Sequence, residues 1–348
     1  MRAIFAIIVP KVSHRVALFN INQTLLERPF AIRGDQDFNA LALDLFRLHA
    51  ERNPVYRGFL SALGRDPDSV RRVEDIPFLP IGAFRNQRVL MEGMEAVATF
   101  TSSGTTGSIT SSHHVPWTQL YERSFLTSFT ATYGEPFRWR ILALLPAYLE
   151  RPGSSLVYMA QKLISASGDP FSGTYLYQYD DLAEVLRRSE TEGKPTLLLG
   201  VTFALLDLAE RYPMPLKHTV VMETGGMKGR RPEMVREELH AILKSAFSVP
   251  AIHSEYGMTE LLSQAWSKGD GLYRCPPWMR VLLRDVNDPL SRVEAGRTGG
   301  IDVIDLCNTA SCPFISTQDL GRMHADGSFE VLGRFDNSDV RGCNLMVD

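Results

Sequence analysis

Three short apolar runs in the middle of the chain, "RILALLP" from Arg140, "PTLLLGV" from Pro195 and "HTVVMET" from His218, constrain the fold more than any other feature. Each has the length and composition of a strand buried on both faces. Between them, "DLAEVLRRSE" and "TFALLDLAERY" carry helical spacing. After the third run, Pro232 stands near a helix start and Val235, Leu239, Ile242, Leu243 and Ala246 fall on one face. Strands alternating with helices in this way predict an α/β core with both sheet faces covered.

The flanks differ from this core. Phe38, Leu41, Ala42, Leu45 and Leu48 are spaced as in a helix, which should end near "NPVY" because Pro54 disfavours helical angles at Asn53. "EDIPFLPIGAF", with two prolines, reads as an extended connector, so residues 1–85 are expected to form a helical entry segment and 86–272 the α/β core. From Tyr273 to Asp348 the chain reads as a β-rich part, with short strands such as "GGIDVIDL" and "GCNLMVD" and a hairpin at Asp326-Gly327. The N-terminal "MRAIFAIIVPK" is too short an apolar stretch to span a bilayer and lacks a small-residue cleavage site. It is expected to be a buried strand or a disordered start.

Composition excludes several function classes. The 348 residues are 44% hydrophobic and 22% charged, ordinary for a globular chain with a sizeable core. A formal net charge of −3 gives no basic footprint, so no nucleic-acid partner is expected. Cys275, Cys307, Cys312 and Cys343 show no CxxC spacing, so neither a zinc knuckle nor a redox pair is signalled, and a reduced, cytoplasmic protein is the simplest expectation.

Four stretches carry chemistry. "TFTSSGTTGS", Thr99 to Ser108, places hydroxyl residues and two glycines after a strand-like run. Successive free N–H groups in such a turn make a concave anion site, suited to phosphate. It is not a Walker A loop, since no Lys-Ser/Thr follows the second glycine. Read alone, it is equally a linking loop. "METGGMKG" (Met222 to Gly229) ends a strand with paired glycines, against which a flat ligand can lie. "HSEYGMTE" (His253 to Glu260) sets an aromatic ring, a glycine, a hydroxyl and a carboxylate at another strand end. "TQDLGRMHADGSFEVLGRFDNSDVRG" (Thr317 to Gly342) supplies an aspartate, a hairpin and an arginine. Ligands of α/β proteins gather at the carboxyl ends of strands, so these segments are expected to converge.

In this order, "TSSGTTGS", "YGMTE", "TQDLGR" and "LGRFDNSDVRG" resemble the signatures of the adenylate-forming superfamily of acyl-CoA synthetases, luciferases and peptide-synthetase adenylation domains. "NPVY", "IPFLPIGAF", "LLPAYLERPGSSLVYM", "METGGMKG" and "RGCNLMV" are most similar to its acyl-protein synthetase (LuxE-type) branch. The resemblance runs from about Phe38 to the end. It implies an α/β fold of the N-terminal adenylate-forming type, with a mixed or parallel sheet core and a small β-rich C-terminal part. It further implies ATP and Mg²⁺ as cofactors, activation of a fatty acid as acyl-adenylate, and transfer of the acyl group to a protein thiol. An acyl-CoA-reductase-type protein would then be the partner that receives it.

By the same resemblance, Thr101, Ser102, Ser103, Gly104, Thr105, Thr106 and Gly107 would hold the pyrophosphate end of ATP. Gly225, Gly226 and Tyr256, with Gly257 beside it, would line the adenine. Thr259 would contact the α-phosphate, Glu260 would ligate Mg²⁺, and Asp319 would take the ribose hydroxyls with Arg334 nearby. Attack of a carboxylate on a phosphate brings anions together, so a metal and N–H donors must offset the growing charge. Tyr148, Ser155 and His113 are acyl-pocket candidates; His113 and His114 read equally as a structural or solvent-facing pair. Cys343 is the candidate acyl acceptor, with Arg341 able to favour its thiolate. A buried structural thiol is the alternative, as it is for Cys307 and Cys312.

The chain departs from the family in two places. No lysine closely follows the phosphate loop. The sequence also stops at Asp348, where typical acyl-CoA synthetases continue into a mobile domain bearing a catalytic lysine; that domain is therefore expected to be absent, with Lys228 a candidate replacement cation. A short end suits self-acylation better than free CoA ligation. A phenylacetate-type CoA ligase and a non-catalytic acyl- or nucleotide-binding subunit remain the alternatives.

Overall fold

The helix expected from Phe38 spans Asp35–Arg52 (α1) and buries Phe38, Leu41, Leu45 and Phe46. Asn53, in an extended conformation, ends it and caps α2 (Pro54–Ala62) by accepting from the N–H groups of Val55 and Tyr56. This and all that follows comes from a computed structural model, which describes residues 25–102, 110–146, 153–225, 234–294 and 296–334. The proline-rich connector is extended in part, but it also contributes β1 (Leu79–Pro80) and a short helix, α3 (Ala83–Asn86). β2 (Ala98–Thr101) and β3 (Ser112–Val115) pair antiparallel in a two-stranded sheet of their own. α4 (Thr118–Tyr133) follows.

The alternating middle of the chain folds as expected. It runs β4 (Arg140–Leu144), α5 (Ser155–Ser167), β5 (Gly173–Tyr175), α6 (Tyr179–Glu192), β6 (Thr196–Gly200) and α7 (Thr202–Arg211). β7 (Thr219–Glu223), α8 (Arg236–Phe247) and β8 (His253–Tyr256) complete it. Strands β5-β4-β6-β7-β8 lie parallel in that order. Every residue of β4 and β6 is buried, as a strand covered on both faces requires. Each fully buried leucine, such as Leu142 or Leu198, contributes about 1.5–3 kcal/mol by leaving water.

One sequence expectation here needs correction. α8 buries Leu239, His240, Leu243 and Phe247, whereas Val235 and Ile242 are exposed. The stripe assigned from apolar residues alone was rotated, because His240 and Phe247 complete the true inward face at helical spacing. Pro232 lies outside the described residues.

After β8 the sheet continues antiparallel through β9 (Ala265–Ser267) and β10 (Tyr273–Arg274). β11 (Met279–Arg284), β12 (Thr298–Asp305), β13 (Phe314–Met323) and β14 (Phe329–Arg334) follow in the chain. The pairing order is β11-β12-β13-β14-β10-β9-β8, continuous with the parallel half. The Asp326-Gly327 turn joins β13 to β14, with Gly327 at φ 79° where a Cβ would be strained. β1 of the entry segment adds to β13 in parallel, so the first and last described strands share one sheet. No helix among the described residues is long and apolar enough to cross a membrane.

Candidate active site

The carboxyl ends of β2, β6, β7 and β8 open into one cavity of about 1010 Å³, closed on its far side by β13 and β14. Thr101 and Ser102 enter it from the end of β2, and Gly225 from the end of β7. Tyr256, Gly257, Thr259 and Glu260 enter from the end of β8 and the turn after it, Asp319 and Arg334 from the facing strands, and Ser155 from the start of α5. Residues up to 233 positions apart in sequence therefore share one wall. Ser103, Gly104, Thr105, Thr106, Gly107, Tyr148, Gly226, Lys228, Arg341 and Cys343 lie outside the described residues.

The base of the hydroxyl-rich loop is closed by reciprocal bonds. The Ser102 N–H donates to the Ser111 carbonyl at 3.1 Å, and the Ser111 N–H donates to Ser102 Oγ at 2.9 Å. Thr101 N–H donates to the Gly153 carbonyl at 2.8 Å. Gly153 has φ +87°, and a Cβ there would stand 2.8 Å from Thr101 Oγ1, so only glycine lets the segment before α5 pass this close to β2.

Tyr256 and Asp319 form the opposite end of the cavity. The Tyr256 hydroxyl donates to Asp319 Oδ2 at 2.9 Å, and Arg334 Nε lies 3.4 Å from Oδ1 across the β13–β14 ladder. Tyr256 packs edge-on against Phe329 and tilted against Tyr273, which fixes its ring. Asp319 is 9% exposed, and burial raises its pKa against the opposing pull of Arg334 and Tyr256.

Glu260 is 4% exposed. Burial raises its pKa, while the Ser111 hydroxyl and the charges of Arg334 and Arg85 favour the carboxylate. Among the described residues no three His, Cys, Asp or Glu side chains form a metal cage. A desolvated carboxylate lining a roomy cavity fits Mg²⁺, which takes one or two carboxylates together with phosphate oxygens.

The chain matches no protein-family model, and a comparison with curated proteins finds no match. Solved structures do match. A 2-hydroxyisobutyryl-CoA ligase in complex with 2-HIB-AMP and CoA aligns with a TM-score of 0.63 and 14% identity, over 87% of this chain and 68% of the ligase. ATP-bound MatB from Rhodopseudomonas palustris gives 0.52 and 19% identity, over 81% and 58%. An ATP-bound RpMatB-BxBclM chimera gives 0.51 and 20%, over 70% of this chain and 49% of its own length. This chain has the adenylate-forming enzyme fold. It spans about half to two thirds of the length of these proteins.

Within the adenylate-forming fold, His113 requires a correction. It was an acyl-pocket candidate, but it is 0% exposed and does not line the cavity. Its Nδ1 lies 2.8 Å from the Thr259 carbonyl and its Nε2 lies 2.9 Å from Ser311 Oγ. The Thr259 carbonyl and Asn308 Oδ1, which lies 3.0 Å from Nε2, both only accept, and Ser311 donates its own proton to Asn308 Oδ1 at 2.7 Å, so the ring has acceptors at both nitrogens and one proton to share between them. Burial pulls its pKa down to about 4, and the ring stays neutral. Cys307 and Cys312 are buried free thiols whose pKa burial raises, as packed cysteines should be.

Sequence reasoning missed several residues at the site. Asn308 Nδ2 donates to the Glu260 carbonyl at 2.8 Å, and Asp305 accepts from the Leu262 N–H at 2.7 Å and from the Ser263 hydroxyl at 2.5 Å. Together with His113 they hold the Thr259–Glu260 turn from beneath. Arg85 on α3 also lines the cavity near Glu260. Glu223 and Glu255, at the ends of β7 and β8, face the same space. Both stood in quoted motifs, but only their shared strand-end position signalled a role.

Proposed function

We propose that this chain is an ATP-dependent ligase that activates a carboxylic acid, in the first instance a fatty acid, as its acyl-adenylate. The single observation supporting this most strongly is the meeting of Thr101, Gly225, Tyr256, Glu260 and Asp319 on one cavity. Adenine would lie against the Gly225 backbone and the Tyr256 ring. Asp319, an acceptor when ionised, has lone pairs left beyond Tyr256 and Arg334 for the two ribose O–H donors. Thr259 would hold the α-phosphate, and the hydroxyl loop the departing pyrophosphate. Mg²⁺ held by Glu260 would offset the phosphate charge when bound.

In the first step the acid's carboxylate oxygen bonds to the α-phosphorus, and the bond from that phosphorus to the bridging oxygen breaks, releasing pyrophosphate. In the second, a thiolate attacks the acyl carbonyl and AMP leaves. We assign the thiol to Cys343, with an acyl-CoA-reductase-type protein as the later recipient and Lys228 as a cation at the phosphates. Acid-dependent ATP–pyrophosphate exchange tests the first step, and its absence with every acid tried rejects the reading. Labelled fatty acid with ATP should mark the protein, hydroxylamine should remove the label, and Cys343→Ser should not take it up. Undiminished labelling of that variant refutes the acceptor.

A second reading is favoured by the aligned ligase that holds CoA. A CoA ligase would release AMP and acyl-CoA stoichiometrically on addition of CoA, with Cys343 dispensable.

A further inference from the structure

We propose that the acid activated here carries a hydrogen-bond-donating substituent, a hydroxyl or an amino group, on its acyl part, and that Glu255 and Gln264 select it. The inference rests on the activation reading above and names the substrate class of that site.

The cavity is lined by apolar side chains, among them Leu156, Met159 and Met258, but also by Ser155, Glu255 and Gln264, polar groups that a pocket for a plain hydrocarbon chain does not need. Glu255 projects from β8, half-buried, and makes no hydrogen bond or ion pair among the described residues. Its carboxyl folds back over Gly257: a Cβ on that glycine would stand 2.3 Å from Glu255 Oε1 and 3.3 Å from Gln264 Cγ. The two side chains thus converge on one point of the wall. Gln264 is 2% exposed, and its Oε1 has no hydrogen-bond partner among the described residues.

An unpaired acceptor in a dry wall is costly and rare, and each such group calls for an explanation. The neighbouring Glu223 does not share this need. It accepts from the Gly225 N–H at 2.6 Å, and the Arg236 charge, the Ser254 hydroxyl and His240 also favour its carboxylate. Burial, and after it the Glu223 charge, instead push Glu255 up to about 8, so near neutral pH it holds its proton. A neutral carboxyl offers one donor and one acceptor, and Gln264 Oε1 a further acceptor. A hydroxyl substituent completes this set by donating to Gln264 and accepting from Glu255. An amino group, which arrives as ammonium, completes it by pairing with the Glu255 carboxylate while the Glu255 proton leaves to water. A saturated chain leaves both acceptors desolvated and unpaired, and a site built to bond a polar group rejects the analogue lacking it.

The test is ATP–pyrophosphate exchange with matched sets: hexanoate and dodecanoate, their 2- and 3-hydroxy forms, and their 2- and 3-amino forms. Calorimetric binding of the same acids is measured in parallel. The hydroxy or amino acids should exceed the parent acid by about tenfold or more in kcat/KM. Glu255→Leu should erase or invert that preference, while Glu255→Gln, which keeps shape and a donor, retains the hydroxy preference and loses the amino one. Thermal melts confirm that both variants fold. A parent acid used as well as its substituted forms, or a preference unchanged in Glu255→Leu, overturns the inference and leaves activation standing. Exchange with none of the acids rejects the activation reading itself.

Discussion

The Nδ1 atom of His113 sits 2.8 Å from the carbonyl oxygen of Thr259, 146 residues away, and this bond ties the turn that carries Glu260 to the core. The imidazole in turn reaches Ser311, whose carbonyl accepts from the Asn53 side chain. Asn53 also bonds His49 at 3.2 Å, and His49 Nε2 reaches the Thr309 carbonyl at 3.0 Å. A line of buried polar contacts therefore runs from the end of α1 to the wall of the cavity.

Replacing His113 by Phe leaves the Thr259 carbonyl without its partner, while the Ser311 hydroxyl keeps its bond to Asn308 Oδ1. The expected cost is about 1–3 kcal/mol of unfolding free energy, that of one stranded buried group. Acid-dependent exchange should fall in kcat with the KM for the acid little changed, because His113 touches no substrate. Urea melts and exchange kinetics check both.

Acid should loosen the same line of contacts. His49 and His113 are both held near 4 by burial, against an unfolded value near 6.5. Below about 6.5 the unfolded imidazoles bind protons that the folded ones refuse, so stability falls as pH drops through that window. By pH 4 the loss is on the order of 3 kcal/mol for each histidine. Asp305, pushed up to about 6 by burial, acts in the opposite sense, so the histidine part is read by comparison with His49→Gln. The gap between parent and variant stabilities should narrow as pH falls from 6.5 to 4.

Asp319→Asn should raise the KM for ATP by about tenfold or more, as expected from losing hydrogen bonds worth about 1.5–3 kcal/mol to a charged group. Tyr256→Phe removes one donor to that carboxylate and should act in the same direction but less strongly. Equal KM values in parent and Asp319→Asn would remove the ribose assignment.

Glu260→Gln keeps the shape and the carbonyl bond from Asn308 but removes the charge. Exchange activity should drop by about 10²–10³, the range seen when one charge-stabilising group is lost from an active site. The Mg²⁺ concentration giving half activity should rise, and chelation by EDTA should abolish activity in the parent. Arg85→Ala offers a contrast, since it should weaken the handling of pyrophosphate without shifting the Mg²⁺ dependence.

Much of this architecture was legible because its signals are local. The runs at Arg140, Pro195 and His218 are short, apolar and bounded, and strands buried on both faces need little else. Asp326-Gly327 specified its turn through backbone geometry alone. The motif residues from Thr101 to Arg334 could be placed together because strand ends of α/β sheets meet in a crevice. What escaped was the destination of polar side chains. His113 reads as a polar residue after a loop, yet it is in the core because Ser311, 198 residues later, supplies its partner. Val235 and Ile242 misled for the converse reason: apolar character says nothing of which side of a helix meets its neighbours. Gln264 gave no signal, since an unfilled hydrogen bond exists only once the wall around it has formed.

Asn53 does two jobs with one side chain, capping α2 through its oxygen and gripping Ser311 through its nitrogen. The helical entry region is thus a foundation stone for the crevice in which we propose that ATP binds. Anyone transplanting that crevice into another scaffold, or trimming the chain to a minimal catalytic unit, would have to carry α1 and α2 along.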